Sequence, residues 1–328
     1  MNFKPLLIVL GEPYSIFTEI FFKSIKKNKF KNIVSKILII GSRKLLQKQM
    51  LKLGFKYNIN EIKNIKFEKS LLKKNSINMI NIDFKFKKTF DKISKNSAKY
   101  IENSFKVSLE ILKKNKNLRL INGPISKEHF LKKKHLGITE YLFKKTKSKQ
   151  KPVMLIYNPK ISVSPITTHL PLKLVSKNLN SKKIINNILE INKFYKLKLR
   201  KKANFAVLGL NPHCETIDKF SEEEKIIKPA IRFIKNKKIN ISGPFSADTF
   251  FLKKNLEKFD VVIGMYHDQV LTPMKTLYKF DAINLTLGLP FVRISPDHGP
   301  NNEMLGKNIS KPDSLIAAFN FVKKINDT

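Results

Sequence analysis

The chain has 328 residues, 42% of them hydrophobic, and a formal net charge of +40. That length provides for a large core divided between two lobes, and a single cysteine, Cys214, excludes an intramolecular disulfide and a cysteine-based zinc site. No apolar run approaches the ~18 residues of a membrane span, and Leu6–Leu10 is too short for a signal-peptide core, so a soluble cytoplasmic protein is expected.

Leu6–Leu10 reads as a buried strand ending in Gly11-Glu12-Pro13, followed by a helical pattern over Ile16–Ile25. Ile37–Ile40 is a second strand, and a helix runs from Arg43 to Leu53. Glu61–Asn75 is polar and without a clear period, a loop or a weak edge strand. Met79–Phe84 reads as a strand, Ser94–Lys114 as a helix with Ile101, Phe105, Leu109 and Leu112 on one face, and Leu118–Ile121 as a strand running into Asn122-Gly123-Pro124. Strand and helix therefore alternate, which favours an α/β fold with a parallel, helix-covered sheet.

Glu128–Lys134 reads as a short helix, and Thr139–Phe143 follows Gly137. Val153–Tyr157 and Ile161–Ile166 form a strand pair around Asn158-Pro159-Lys160. A long amphipathic helix, Lys182–Leu197, leads to strand Phe205–Leu210, and Ser221-Glu222-Glu223-Glu224 is a capping-box helix start. Val261–Met265 and Ala282–Leu287 are apolar strands, the second meeting a Gly288-Leu289-Pro290 turn. Ser310–Lys324 closes the chain as an amphipathic helix. The lobe boundary is placed at the Asn122-Gly123-Pro124 turn. Residues 1–125 with 300–328 make one lobe, and residues 126–299 make a second that carries the metal-ligand candidates and much of a dimer interface.

The charge points toward nucleic acid, but the makeup of that charge argues against it. Only five of the 65 basic residues are Arg, whose planar fork reads phosphates and bases. Lys is spread along the chain beside abundant Asn and Ile, as AT-rich codon usage produces. No nucleic-acid or membrane partner is expected, although the field favours anionic small substrates.

Of the six histidines, His169, His213 and His267 each follow an apolar strand. Three imidazoles at strand ends make a ligand set for a divalent metal with positions left for substrate. They also read as three unrelated loop residues. Asp248 and Asp268 are candidates to support those imidazoles or to act as a base, or else are turn and cap residues. Lys275, Asn284 and Arg293 form a set for a phosphate or carboxylate, with Arg293 the most telling because Arg is rare here. Asp297 and His298 serve equally to orient a loop, and His129 and His135 read as exposed. No G-x-G-x-x-G, G-x-x-x-x-G-K-[ST] or G-x-S-x-G occurs, so a dinucleotide would bind without the Rossmann fingerprint.

Taken in order, Gly11-Glu12-Pro13, Asn122-Gly123-Pro124, Thr167-Thr168-His169-Leu170-Pro171-Leu172, Gly209-Leu210-Asn211-Pro212-His213, Gly243-Pro244 with Ala247-Asp248-Thr249, and the block Met265–Gly299 make the chain resemble the 4-hydroxythreonine-4-phosphate dehydrogenase family of pyridoxal 5′-phosphate synthesis. The resemblance implies a two-lobed fold similar to isocitrate and isopropylmalate dehydrogenases, with a central cleft and no Rossmann domain. It implies NAD and one divalent metal (zinc, magnesium, cobalt or manganese) held by His169, His213 and His267. It implies a homodimer with a shared active site and a phosphorylated small-molecule substrate contacted by Thr139, Lys275, Asn284 and Arg293. The reaction implied is oxidation of 4-phosphooxy-L-threonine to 2-amino-3-oxo-4-phosphooxybutanoate, which decarboxylates to 3-amino-2-oxopropyl phosphate. Asp248, Asp268 and Lys275 are the candidates for accepting the hydroxyl proton.

The chain also departs from the family pattern. Ile138 stands where the family usually has a histidine, before Thr139-Glu140, and it cannot donate a hydrogen bond. Tyr14-Ser15-Ile16-Phe17 replaces a stretch with two glycines, and Cys214-Glu215-Thr216-Ile217 replaces a glycine-rich loop. A related metal- and NAD-dependent dehydrogenase for a different phosphorylated or carboxylated hydroxy acid is the alternative. A metal-dependent lyase or hydrolase without NAD and a basic binding protein are the other readings.

Overall fold

A computed structural model describes residues 5–27, 31–63, 68–115, 118–131, 135, 137–148, 150–214, 221–278, 282–296 and 299–327. Asp297, His298 and the segment 215–217, named above, lie outside the described residues. The chain divides into two compact units, Met1–Pro152 with Gly288–Asp327, and Val153–Leu287.

The first unit opens with β1 (Leu6–Val9), β2 (Ile37–Gly41), β3 (Asn58–Glu61), β4 (Ser76–Asn81) and β5 (Arg119–Asn122). Every residue of β1, β2 and β5 is buried, as expected of unbroken aliphatic runs covered on both faces. The second unit contains β6 (Val153–Tyr157), β7 (Ser162–Thr167), β8 (Phe205–Leu208), β9 (Ile241–Phe245), β10 (Val261–Tyr266) and β11 (Ile283–Leu287). The chain then returns to the first unit with β12 (Arg293–Pro296) and the closing helix Asp313–Asp327. Arg119 Nη2 donates to the Ile325 carbonyl at 3.0 Å, tying that helix end to β5.

In the first unit the strands run in the order β3-β4-β2-β1-β5-β12, all parallel. From β1 the chain lays β2 beside it, places β3 at the edge and β4 between β2 and β3, then crosses to lay β5 on the other side of β1. The order of strands therefore reverses between β1 and β5, the place where open α/β sheets take ligands. Backbones approach closely there: Gly123 N–H donates to the Val9 carbonyl and Glu12 N–H to the Pro124 carbonyl, each at 2.8 Å. Gly11 has φ +76° and a Cβ on it would lie 2.5 Å from the Pro124 oxygen, so only glycine fits.

In the second unit the order is β11-β6-β7-β10-β8-β9, with β7-β10-β8-β9 parallel and β11-β6-β7 antiparallel. The expected α/β architecture is thus observed. Several elements differ from expectation, among them β4, β3 and the helix after β10. β4 begins at Ser76 because buried Asn78, which breaks the apolar pattern, is bonded by Asn60 Nδ2 and the Lys73 N–H, both at 2.8 Å. β3 supplies an edge strand at Asn58–Glu61, just before the polar stretch. A helix, His267–Tyr278, follows β10 despite Pro273 in its interior.

Candidate functional site

The histidine-bearing loops of the second unit lie at the C-terminal ends of parallel strands. In the β7–β10 ladder Thr167 pairs with Tyr266, so His169 and His267 leave the sheet side by side. Their ring centroids are 6.1 Å apart. His267 opens its helix, and its Nδ1 lies 2.7 Å from Asp268 Oδ1. With Nδ1–H donating to that carboxylate, the Nε2 lone pair remains for a ligand. Gly264 lets this helix pack on β10, since a Cβ there would lie 2.4 Å from Val270 Cγ1.

His213 arrives from β8 by a different device. It and Cys214 both take left-handed backbone conformations, φ 58° and 55°, which cost non-glycine residues of order 1–2 kcal/mol each. Glu223, fully buried, holds the turn that leads into them. Its Oε1 accepts from the N–H groups of Leu210 at 2.7 Å and Asn211 at 2.9 Å, and its Oε2 from Asn211 Nδ2 at 2.7 Å. Gln269 links this turn to β10, accepting from Met265 N–H and donating to the Gly209 carbonyl, both at 2.7 Å. The side chain of His213 is 72% exposed, with Nδ1 3.8 Å from Asp248 Oδ2. Asp248 is held below the usual carboxylate range first by the Ser246 hydroxyl, with further help from the Thr249 N–H and His213.

Arg293 anchors the candidate site of the first unit. It is only 2% exposed although it is the bulkiest of the fully buried side chains. Nε donates to Asn122 Oδ1 at 2.7 Å and Nη1 to Thr139 Oγ1 at 3.2 Å. Burial pulls its pKa down to about 10, opposed by the charge of Glu140. The residue lines an open pocket of about 530 Å³ whose polar wall includes Asn122, Ser126, Ser295 and Asn302, and whose apolar wall includes Ile93, Ile125 and Ile138. A fixed guanidinium in such a wall is suited to a phosphate or carboxylate.

The family model described as pyridoxal phosphate biosynthetic protein PdxA matches residues 33–322. The chain belongs to the PdxA family. It is 38% identical over 319 residues to a 4-hydroxythreonine-4-phosphate dehydrogenase of Sulfurihydrogenibium sp. (strain YO3AOP1), covering 95% of each chain. It is 28% identical to the enzyme of the same name from Methylorubrum populi, covering 98% of this chain and 94% of the relative. Two solved structures share the fold. The 4-hydroxythreonine-4-phosphate dehydrogenase of Klebsiella pneumoniae superposes with a TM-score of 0.83 at 24% identity, covering 98% of this chain and 99% of its own. A terephthalate 1,2-cis-dihydrodiol dehydrogenase of Burkholderia xenovorans LB400 superposes with a TM-score of 0.65 at 16% identity, covering 98% of each. Membership makes the protein a dehydrogenase of pyridoxal phosphate biosynthesis.

In this PdxA chain the sequence-derived candidates sort into groups. Arg293 and Thr139 are bonded to each other. His169 and His267 face each other, with Asp268 on His267, while His213 and Asp248 form a separate pair. Among the described residues no three His, Cys, Asp or Glu side chains are gathered tightly enough to hold a metal ion. Lys275 is exposed on the helix His267–Tyr278, eight residues and about 12 Å of helix beyond His267. Asn284 is half-buried on β11, opposite Ile156 of β6. His135 packs edge-on against Tyr141, with centroids 5.6 Å apart, and His129 is half-buried. No helix among the described residues is long and apolar enough to cross a membrane. Sequence reasoning passed over Asn122, Glu223 and Gln269, whose roles rest on contacts between separate elements. The signal within reach was a polar residue near the end of an apolar strand, which Asn122 and Gln269 share with the histidines.

Proposed function

We propose that the protein is a 4-hydroxythreonine-4-phosphate dehydrogenase. It oxidises 4-phosphooxy-L-threonine with NAD in the cytoplasm, and the β-keto acid formed, 2-amino-3-oxo-4-phosphooxybutanoate, loses CO2 to give 3-amino-2-oxopropyl phosphate. The observation that carries this reading is Arg293, buried in a pocket wall and oriented by Asn122 and Thr139. A preoriented guanidinium meets a phosphate or carboxylate with little reorganisation. Thr139 adds a hydroxyl beside it, and Lys275 and Asn284 are taken as further substrate contacts.

The imidazoles of His169, His213 and His267 are taken as the ligands of one divalent ion. The donor chemistry fits: the Asp268 contact at 2.7 Å fixes Nδ1 of His267 and leaves Nε2 to bind, with His169 beside it. His213 faces Asp248 in the single chain, so we assign the completed set to a homodimer in which a second copy supplies part of each active site. The ion, when bound, acidifies the substrate hydroxyl. NAD, when bound, accepts the hydride. Asp248, Asp268 and Lys275 are the candidates for taking the hydroxyl proton.

The apolar wall of Ile93, Ile125 and Ile138 favours a second reading, a related dehydrogenase for another phosphorylated or carboxylated hydroxy acid. NADH formation by the purified protein is measured with 4-phosphooxy-L-threonine, NAD and added divalent metal, with and without chelator. Metal-dependent turnover is expected, falling by about 10² or more in His213→Ala, with circular dichroism confirming that the variant is folded. Absence of turnover with 4-phosphooxy-L-threonine, together with turnover of another hydroxy acid from a panel, selects the second reading.

A further inference from the structure

Glu12 stands at the reversal of strand order between β1 and β5, directly behind the pocket of the first unit. The residue is 2% exposed, and among the described residues neither carboxyl oxygen has a hydrogen-bond partner. It faces the Ser97 hydroxyl, at the start of the helix Ser97–Lys114, and the Ser126 N–H, and burial pushes its pKa up from 4.5 to about 7. Its own N–H donates to the Pro124 carbonyl at 2.8 Å. Both links reach the turn Asn122–Ser126, and Asn122, Pro124, Ile125 and Ser126 line the pocket beside Arg293. Asn122 in that turn also accepts from Arg293 Nε. Glu12 is thus a buried acid fastened to the back of an anion-binding wall.

We propose that Glu12 is a positioning residue for this pocket: its N–H seats the Asn122–Ser126 turn through the Pro124 carbonyl, and the charge of its buried carboxyl group, when present, weakens the hold of the pocket on an anionic ligand. The inference rests on reading Arg293 as an anion ligand. The physical basis is that a carboxylate buried away from water projects its field through a poorly screened wall. The titratable groups around it are Tyr14 on its own loop and Tyr100 on the helix Ser97–Lys114, both pushed up partly by Glu12 itself. Glu128, which itself lines the pocket, and His129 follow Ser126 in the chain, and the turn Asn122–Ser126 brings no titratable side chain. As pH rises through about 7, Glu12 gains charge and anion affinity falls.

Sulfate is the probe, because its charge stays constant over the range. Its binding is measured by calorimetry at constant chloride, at about pH 6 and about pH 8, in wild type, Glu12→Gln and Arg293→Lys. The site signal is the part that Arg293→Lys removes, which separates it from the lysine-rich surface. The wild-type affinity is expected to drop between the two pH values by roughly tenfold more than that of Glu12→Gln. Equal pH dependence in the two proteins overturns the proposal and leaves the anion reading of Arg293 intact. Absence of an Arg293-dependent signal overturns both. Should Glu12→Gln fail to fold, the infrared carbonyl band of the protonated carboxyl is followed in wild type. By linkage, sulfate raises the pH at which that band vanishes, and a midpoint unmoved by sulfate overturns the proposal.

Discussion

A buried glutamate organises the loops at strand ends in each unit, and the two are built in opposite ways. Glu223 in the second unit accepts three hydrogen bonds from the turn after β8. Glu12 in the first accepts none among the described residues, although it is almost as deeply buried. A carboxylate surrounded by donors can be buried with its charge, and one without them is driven toward its neutral form. Burial therefore does not by itself say what a carboxyl group is for. Glu223 is a brace for the turn that delivers His213; Glu12 is a group whose protonation changes within the range where proteins work.

Removing the brace is expected to have the largest effect. Glu223→Ala leaves the Leu210 and Asn211 donors unsatisfied, a loss of about 3 kcal/mol or more in stability, read as a lowered urea midpoint together with loss of metal-dependent turnover. An unchanged midpoint breaks the contrast with Glu12. Next comes the acid without donors. Its pKa is raised from 4.5 to about 7, so its contribution to stability is fully present below the unfolded value and is lost as pH rises through the folded one. Wild type should lose about 3 kcal/mol across that interval. Glu12→Gln should lack this slope and gain relative to wild type at about pH 8, measured by urea denaturation at both ends of the interval. A parallel pH dependence in the two proteins contradicts it. The smallest effect is at the exposed limit. The Asp268 side chain is 79% exposed and touches His267 Nδ1, so Asp268→Asn should weaken metal binding by about tenfold with little change in melting temperature. A titration with zinc or manganese checks this.

Much of the fold was legible because its strands are apolar on both faces. β1, β2, β5 and β10 stand out as aliphatic runs, and the helix Ser97–Lys114 buries Tyr100, Ile101, Ser104, Phe105, Ser108, Ile111 and Leu112 at helical spacing. The histidines were legible for the same reason: they are polar letters placed where such runs stop. The helix His267–Tyr278 was hidden by Pro273, although Val270 and Met274 keep helical spacing and both are buried. β12 was hidden because only Arg293 to Pro296 form it and its first buried residue is charged. The functions of Glu12, Glu223 and Gln269 were out of reach of sequence reasoning. Each acts through contacts with another segment, Gln269 bonding Gly209 across 60 residues of chain. Ile138 was legible as a departure, and it lines the pocket beside Ile93 and Ile125.

The pairing of Thr167 with Tyr266 has a consequence for how such a chain tolerates change. The spacing of His169 and His267 is inherited from a backbone ladder, and backbone hydrogen bonds are indifferent to what the surface side chains become. Lysine can accumulate over the exterior without moving the two rings apart. A slip of one residue in that ladder, by contrast, would turn one strand's side chains to the opposite face and separate the rings at once. The durable part of the site is therefore a register, and tolerance to surface drift is a property of the sheet beneath it.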